Sequence, residues 1–278
     1  MADIFLGFLI VSGGDFAPVR SFGLLLGASS CLYFAGMVFN DVFDVAQDTV
    51  ERPGRPIPSG AVSLKGAWTL GLVLCAGGLG LSAMVGVPGL TIGGLIVVAI
   101  FGYDWLLKKT PIAPLAMGLC RFLNVMLGAS LAGSAAAMFA APQVLVAGCL
   151  GVYIAGLTWF ARHEAIGDNK ADLVGGTAVM NLGIVGLAAV AYREAGAGRL
   201  QVIGLLLFIL AVINVRLFKA IRSGDPPDIG AGIRTALLSL VLIDASLVLA
   251  LTGSVFGAVL TASLLLPASL IRRWIPLT

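Results

Sequence analysis

The sequence predicts an all-α fold, a polytopic membrane helical bundle of about nine to ten transmembrane helices, and three observations carry that reading. The chain is 59% hydrophobic and 11% charged, with a mean hydropathy of +1.05. Apolar runs of ~20 residues recur along it, each long enough to cross ~30 Å of hydrocarbon as a helix that satisfies its own backbone hydrogen bonds. The basic residues fall almost entirely into alternate connections between those runs.

Taken in order, residues 1–13 hold an apolar stretch too short to span, which reads as the remnant of a helix with a truncated start. No basic residue precedes it and no small-residue cleavage site follows before the next span, so a cleaved signal peptide is not expected. Spans follow near 21–39, 64–86, 88–106, 113–137, 142–162, 173–192, 199–219, 233–253 and 255–272, and their recurrent Gly and Ala suit close helix packing. No linker or low-complexity segment divides the chain, so residues 1–278 read as a single domain.

Alternating the spans from a cytoplasmic start puts Arg52, Arg55, Lys65, Lys108, Lys109, Arg162, Lys170, Arg216, Lys219, Arg222, Arg234, Arg272 and Arg273 on one side. Only Arg20, Arg193 and Arg199 fall opposite, and the positive-inside rule makes the rich side cytoplasmic. The net charge of +3 therefore describes one membrane face, and connections this short exclude a nucleic-acid reader. Cys31, Cys75, Cys120 and Cys149 stand singly in apolar runs, without zinc or redox spacing, and read as small core residues. The lone His163 builds neither a histidine metal site nor a Ser-His triad.

Charge near hydrocarbon costs free energy, so its clusters are functional hypotheses. Residues 40–58, NDVFDVAQDTVERPGRPIP, form the first, and residues 163–172, HEAIGDNKAD, the second, both on the cytoplasmic side. On a helix Asn40, Asp44 and Asp48 share one face at i, i+4 and i+8, with Asp41 beside them, and Glu164, Asp168 and Asp172 repeat the spacing. Stacked carboxylates repel, so they call for compensating cations. Oxygen donors with no Cys select a hard ion such as Mg²⁺, which prefers a few carboxylates plus water and substrate phosphates. Arg52 and Arg55 follow in a loop enforced by Pro53, Pro56 and Pro58, while Lys108 and Lys109 follow Tyr103 on the same side. That rim reads as a diphosphate clamp above apolar walls suited to a hydrocarbon tail. The plainer alternative is a solvated interhelical loop with acidic helix caps.

These residues resemble the UbiA superfamily of intramembrane prenyltransferases. Asn40, Asp44 and Asp48 are similar to its N-x-x-x-D-x-x-x-D motif, residues 52–56 (RPGRP) to the segment that follows, and residues 111–128 to its fourth-to-fifth helix region. The resemblance implies transfer of a prenyl group from an allylic polyprenyl diphosphate to a small-molecule acceptor, aromatic or other, by Mg²⁺-assisted ionisation of the diphosphate. It implies Asp44, Asp48 and Asp168 as catalytic groups; Asn40, Asp41, Asp44, Asp48, Glu164, Asp168 and Asp172 as metal ligands; and Arg52, Arg55, Tyr103, Lys108, Lys109, Arg121 and Asn124 as substrate-binding residues. The divergent branch it is most similar to implies a bacterial cytoplasmic (inner) membrane. Four departures stand out, the first being that the run at 255–272 makes one span more than the family's usual nine. Glu164 replaces the family's Asp, Tyr103 and Lys108 are one residue further apart than Tyr-x-x-x-Lys, and no Arg-Pro element precedes Ile4.

Asp244, inside an apolar run, reads as a helix-packing hydrogen bond rather than a base. Asp225 and Asp228, flanking Pro226 and Pro227, read as a turn. The competing function is a transporter or a lipid- or cation-binding protein, which would place broken helices at the midplane rather than carboxylates at helix ends. A CDP-alcohol phosphotransferase would need an Asp-Gly and Ala-Arg string that is missing here.

Overall fold

The computed structural model describes residues 2–163, 170–194, 196 and 199–266, and every regular element among them is helical. In chain order these are α1 (Ala2–Ser12), α2 (Val19–Phe43), α3 (Val45–Glu51), α4 (Leu64–Ala83), α5 (Val87–Phe101), α6 (Ala113–Ala129), α7 (Ala135–Met138), α8 (Gln143–Phe160), α9 (Lys170–Glu194), α10 (Arg199–Ser223), α11 (Pro226–Thr252) and α12 (Val255–Ser263). A π-helical segment, Gly102–Leu107, prolongs α5, and a 3-10 turn, Ser130–Ala132, prolongs α6. Counting those extensions, eight described helices are long and apolar enough to cross a membrane: α2, α4, α5, α6, α8, α9, α10 and α11. They match the first eight expected spans. The ninth, 255–272, begins as α12, and its residues beyond Leu266 lie outside the described part.

One expectation holds and one is corrected. The apolar stretch near the start is too short to span, as expected, and forms α1, an eleven-residue helix whose Ile4, Leu6, Phe8 and Leu9 are fully buried. Asp225 and Asp228 do not make a free turn. Asp225 is the N-cap of α11, the two prolines occupy its first positions, and Asp228 in the first turn accepts from Lys219 Nζ at 2.7 Å. Proline is tolerated there because the first amides of a helix have no intrahelical partner.

Small residues set the helix spacing. A Cβ on Gly128 of α6 would lie 2.7 Å from the carbonyl oxygen of Ile4, so glycine lets α1 lie flush on α6. Gly156 and Gly176 play the same part between α8 and α9, where a Cβ on Gly176 would meet the Gly156 oxygen at 2.7 Å. Such backbone approach is how helices associate where lipid offers no hydrophobic driving force between them.

The α1–α6 contact brings charge together near the middle of the bundle. Arg121, about 12 Å along α6 from its start, forms an ion pair with Asp3 of α1, and its Nη2 donates to Asp244 Oδ2 of α11 at 3.0 Å. Asn124, one turn on, donates to Asp3 Oδ2 (2.8 Å) and accepts from Ser29 Oγ (2.7 Å). Four helices are thus pinned by one polar network. Asp244 does bond across helices as expected, accepting from the Arg121 guanidinium of α6.

Candidate active site

The first acidic motif sits where α2 gives way to α3. The chain bends at Asp44, yet Asp44 N–H still donates to the Asn40 carbonyl (3.0 Å) and Asp48 N–H to the Asp44 carbonyl (2.8 Å). The i, i+4, i+8 alignment therefore survives the break. Beneath it, Phe39 packs on Phe101 (centroids 4.6 Å apart) and Trp68 (5.5 Å), and Phe43 on Trp68 (5.7 Å), tying the end of α2 to α4 and α5. Tilted and edge-to-face contacts of this kind hold a helix end more firmly than area burial alone.

Each acid of the motif has a cation. Arg55 reaches back from the proline-rich loop and donates through Nη1 to Asp41 Oδ1 (3.1 Å) and Asp48 Oδ2 (2.8 Å). Lys108 Nζ pairs with Asp44. Tyr103 is half-buried on the π-segment that Lys108 caps, and its carbonyl accepts from the Lys108 N–H at 2.8 Å. On an α-helix residues five apart would point about 140° away from one another. The i→i+5 turn absorbs the extra residue, so the wide Tyr103–Lys108 spacing still delivers Lys108 to the motif.

Sequence reasoning missed Asp104. Its Oδ1 accepts from Asn40 Nδ2 at 3.1 Å, parallel to the Lys108–Asp44 pair one turn on. The available signal was a carboxylate placed between Tyr103 and Lys108 in an otherwise apolar span.

The second motif is described in part. Asp172, in the first turn of α9, accepts from Trp159 Nε1 of α8 at 2.9 Å. Glu164 and Asp168 lie outside the described residues. Its flank is nevertheless joined to the first motif's partners: Arg162 Nη2 donates to the Thr110 carbonyl at 2.5 Å, two residues beyond Lys108. Lys108, Lys109, Pro111 and Arg162 line an open cavity of about 390 Å³ at that junction. A larger cavity of about 440 Å³, lined by Thr177, Asn214, Phe218 and neighbours on α9 and α10, is apolar and contains none of the expected site residues.

The structure therefore brings together Asn40, Asp41, Asp44, Asp48, Arg55, Tyr103 and Lys108, with Lys109 beside them. Arg52 is exposed at the end of α3, and no ion pair involves it among the described residues. Arg121 and Asn124 are not gathered with this group; they belong to the mid-bundle network with Asp3 and Asp244. The donor set of the motif, three carboxylates and one amide with no sulfur or imidazole, fits a hard divalent cation. Among the described residues no three Asp, Glu, His or Cys side chains converge as a metal-holding group.

An integral, multi-pass membrane protein with a carboxylate–cation rim at one end of its spans is the class that fold and geometry define. The chain belongs to the UbiA prenyltransferase family, whose profile matches residues 2–277. It is similar to digeranylgeranylglyceryl phosphate synthases of archaea. Identity is 32% over 107 residues with the enzyme of Sulfurisphaera tokodaii, covering 38% of each chain. With that of Halobacterium salinarum it is 33% over 165 residues, 59% of this chain and 56% of the relative. The chain thus spans roughly a third to a little over half of these curated relatives' lengths in the matched stretches. Two solved structures share the fold. One, described as digeranylgeranylglyceryl phosphate synthase in membranes, has TM-score 0.68 at 19% identity, covering 91% of this chain and 93% of that one. The other, a UbiA homolog from Aeropyrum pernix K1, has TM-score 0.63 at 21% identity, covering 85% and 98%.

Proposed function

We propose that this protein is an intramembrane prenyltransferase that moves a prenyl group from an allylic polyprenyl diphosphate to an acceptor held at the same site. The observation that carries the reading is the aligned Asn40–Asp44–Asp48 face, held by Arg55 and Lys108 at the end of a lipid-embedded bundle and joined to the second motif's flank through Thr110 and Arg162. Asn40, Asp41, Asp44 and Asp48 on one side, with Glu164, Asp168 and Asp172 on the other, would hold Mg²⁺. When bound, that ion supplies charge neutralisation for the departing diphosphate.

The chain's own residues do the remaining work. Arg55, Arg52, Lys108 and Lys109 offer guanidinium and ammonium donors to phosphate oxygens, and these bonds strengthen as negative charge grows on the leaving group. The half-buried Tyr103 would line the prenyl end of the donor. Apolar helix walls exclude water from the carbocation until the acceptor attacks and releases its proton. In this reading Arg121 and Asn124, bonded to Asp3, Ser29 and Asp244, hold α1, α2, α6 and α11 together.

The relatives' printed names make geranylgeranyl diphosphate and geranylgeranylated glyceryl phosphates the first donor and acceptor to assay, ahead of phenolic and quinone precursors. Segregation of basic residues supports a cytoplasmic membrane with both motifs on its inner face. Asp44→Ala and Asp168→Ala are expected to abolish Mg²⁺-dependent diphosphate release while leaving a folded, membrane-inserted protein. Wild-type turnover in both variants would reject the site and return the transporter or lipid-binding reading to first place.

A further inference from the structure

Asn40 is the one neutral member of the first motif, and its amide is useful as an oxygen donor in only one of two nearly isosteric orientations. What sets that orientation is a contact from another helix. Asp104 Oδ1 lies 3.1 Å from Asn40 Nδ2, and among the described residues Asn40 is the hydrogen-bond partner of the Asp104 side chain. In this contact the carboxylate oxygen accepts, so the NH₂ end of Asn40 faces Asp104 and Oδ1 occupies the opposite end of the amide.

The π-segment places this contact. Asn40 pairs with Asp104 and Asp44 with Lys108, each pair 64 residues apart in sequence, so two rungs one turn apart join α2 to Gly102–Leu107. The rungs are chemically matched: an acid faces the amide and a cation faces the acid. The Lys108 N–H bond to the Tyr103 carbonyl closes the wide turn that sets both side chains in register. A π-turn inside an otherwise regular span commonly marks a position where function outweighs regularity.

We propose that Asp104 is a positioning residue of the prenyl-diphosphate site: it locks the Asn40 amide so that Oδ1, not Nδ2, is presented as the motif's neutral oxygen ligand. This rests on the reading of Asn40, Asp44 and Asp48 as the donors for a divalent cation. Without the lock, rotation of the amide would set an NH₂ group against that cation. Asp104 itself touches neither metal nor substrate.

The test uses the full chain in detergent or nanodiscs, with Mn²⁺ binding followed by electron paramagnetic resonance as a readout independent of turnover. In Asp104→Asn the second amide can pair with Asn40 in either orientation. Mn²⁺ affinity is expected to fall ~10–100-fold, the range seen when an outer partner of a ligand is removed, with thermal stability unchanged. The exchanged pair Asn40→Asp with Asp104→Asn restores a carboxylate–amide bond and leaves an oxygen outward, so it should recover most of the Mn²⁺ affinity and lower the donor KM again. Failure of the exchange to recover binding would mean that Asp104 is not acting through residue 40, and overturns the proposal. Wild-type Mn²⁺ affinity in Asp104→Asn, with binding lost in Asp44→Ala, overturns the positioning role and leaves the site reading intact. Unaltered Mn²⁺ binding in Asp44→Ala overturns both.

Discussion

Two clusters in this protein pair aspartates with cations, and they differ in what surrounds them. At the helix ends, Arg55 and Asp41 keep 34% and 48% of their side-chain surface exposed and Lys108 and Asp44 keep 24% and 19%, while Asp48, at 7%, is the buried member of the rim. In the middle of the bundle, Asp3 and Asp244 keep 3% and 0%, and Arg121 keeps 16%. Exposed partners can be exchanged for a diphosphate or a metal ion because water screens each group while it is unpaired. Sealed partners cannot, since a charge released there has neither water nor a substitute to meet it. The same ion pairs thus make a rim that can open and a pin that must not.

The largest effect is expected where the pin is broken. Arg121→Met leaves two buried carboxylates facing each other and should cost about 3–5 kcal/mol of stability, read as a collapse of the thermal transition in detergent. Replacing Asp3 and Asp244 with apolar residues in the same chain should recover much of that loss. If Arg121→Met alone folds with wild-type stability, the network is not what holds α1 in place. Next, Asp44→Ala at the rim should abolish Mg²⁺-dependent diphosphate release, a loss of at least ~10²–10³-fold, while the thermal transition stays put, the reverse pattern. A third, smaller effect separates the clusters by screening. Raising ionic strength from 0.01 to 1 M shortens the Debye length from ~30 to ~3 Å, so donor affinity should fall several-fold while the mid-bundle contribution to stability is unaffected. Smallest of all, Gln47→Ala removes a hydrogen bond to Glu51 on the exposed face of α3 (3.0 Å) and should change stability by ~0.2–0.5 kcal/mol. Turnover should be untouched, because proximity to the motif without facing it confers no role.

The contrast also explains which features were legible in the sequence. Hydropathy located eight spans because lipid imposes one solution on the backbone, and i, i+4 spacing placed Asn40, Asp44 and Asp48 on a face that a bend at Asp44 did not destroy. Lys108 was read as a site residue from its charge, its membrane side and its likeness to Tyr-x-x-x-Lys, but how it gets there was hidden: the π-turn is a tertiary accommodation of one extra residue, and no local propensity announces it. The pin was also hidden. Asp3, Arg121 and Asp244 lie more than a hundred residues apart along the chain, and a lone acid in an apolar run does not name its partner. Arg121 was accordingly expected to face substrate. The short α1 was discounted for its length, although Gly128 on α6 prepares a seat for it. Asp225 and Asp228 looked like a turn because prolines open a helix as readily as they break one.

The most direct test of the account is an experimental structure of the full chain in nanodiscs with Mn²⁺ and a non-ionising thiolodiphosphate analogue of the donor. The account predicts one diphosphate gripped between Asn40, Asp44 and Asp48 on one side and Asp168 and Asp172 on the other, with Arg55 and Lys108 turned onto its oxygens and the Arg121 network unchanged. A diphosphate bound elsewhere, or two acidic motifs facing apart with no shared ligand between them, would contradict it.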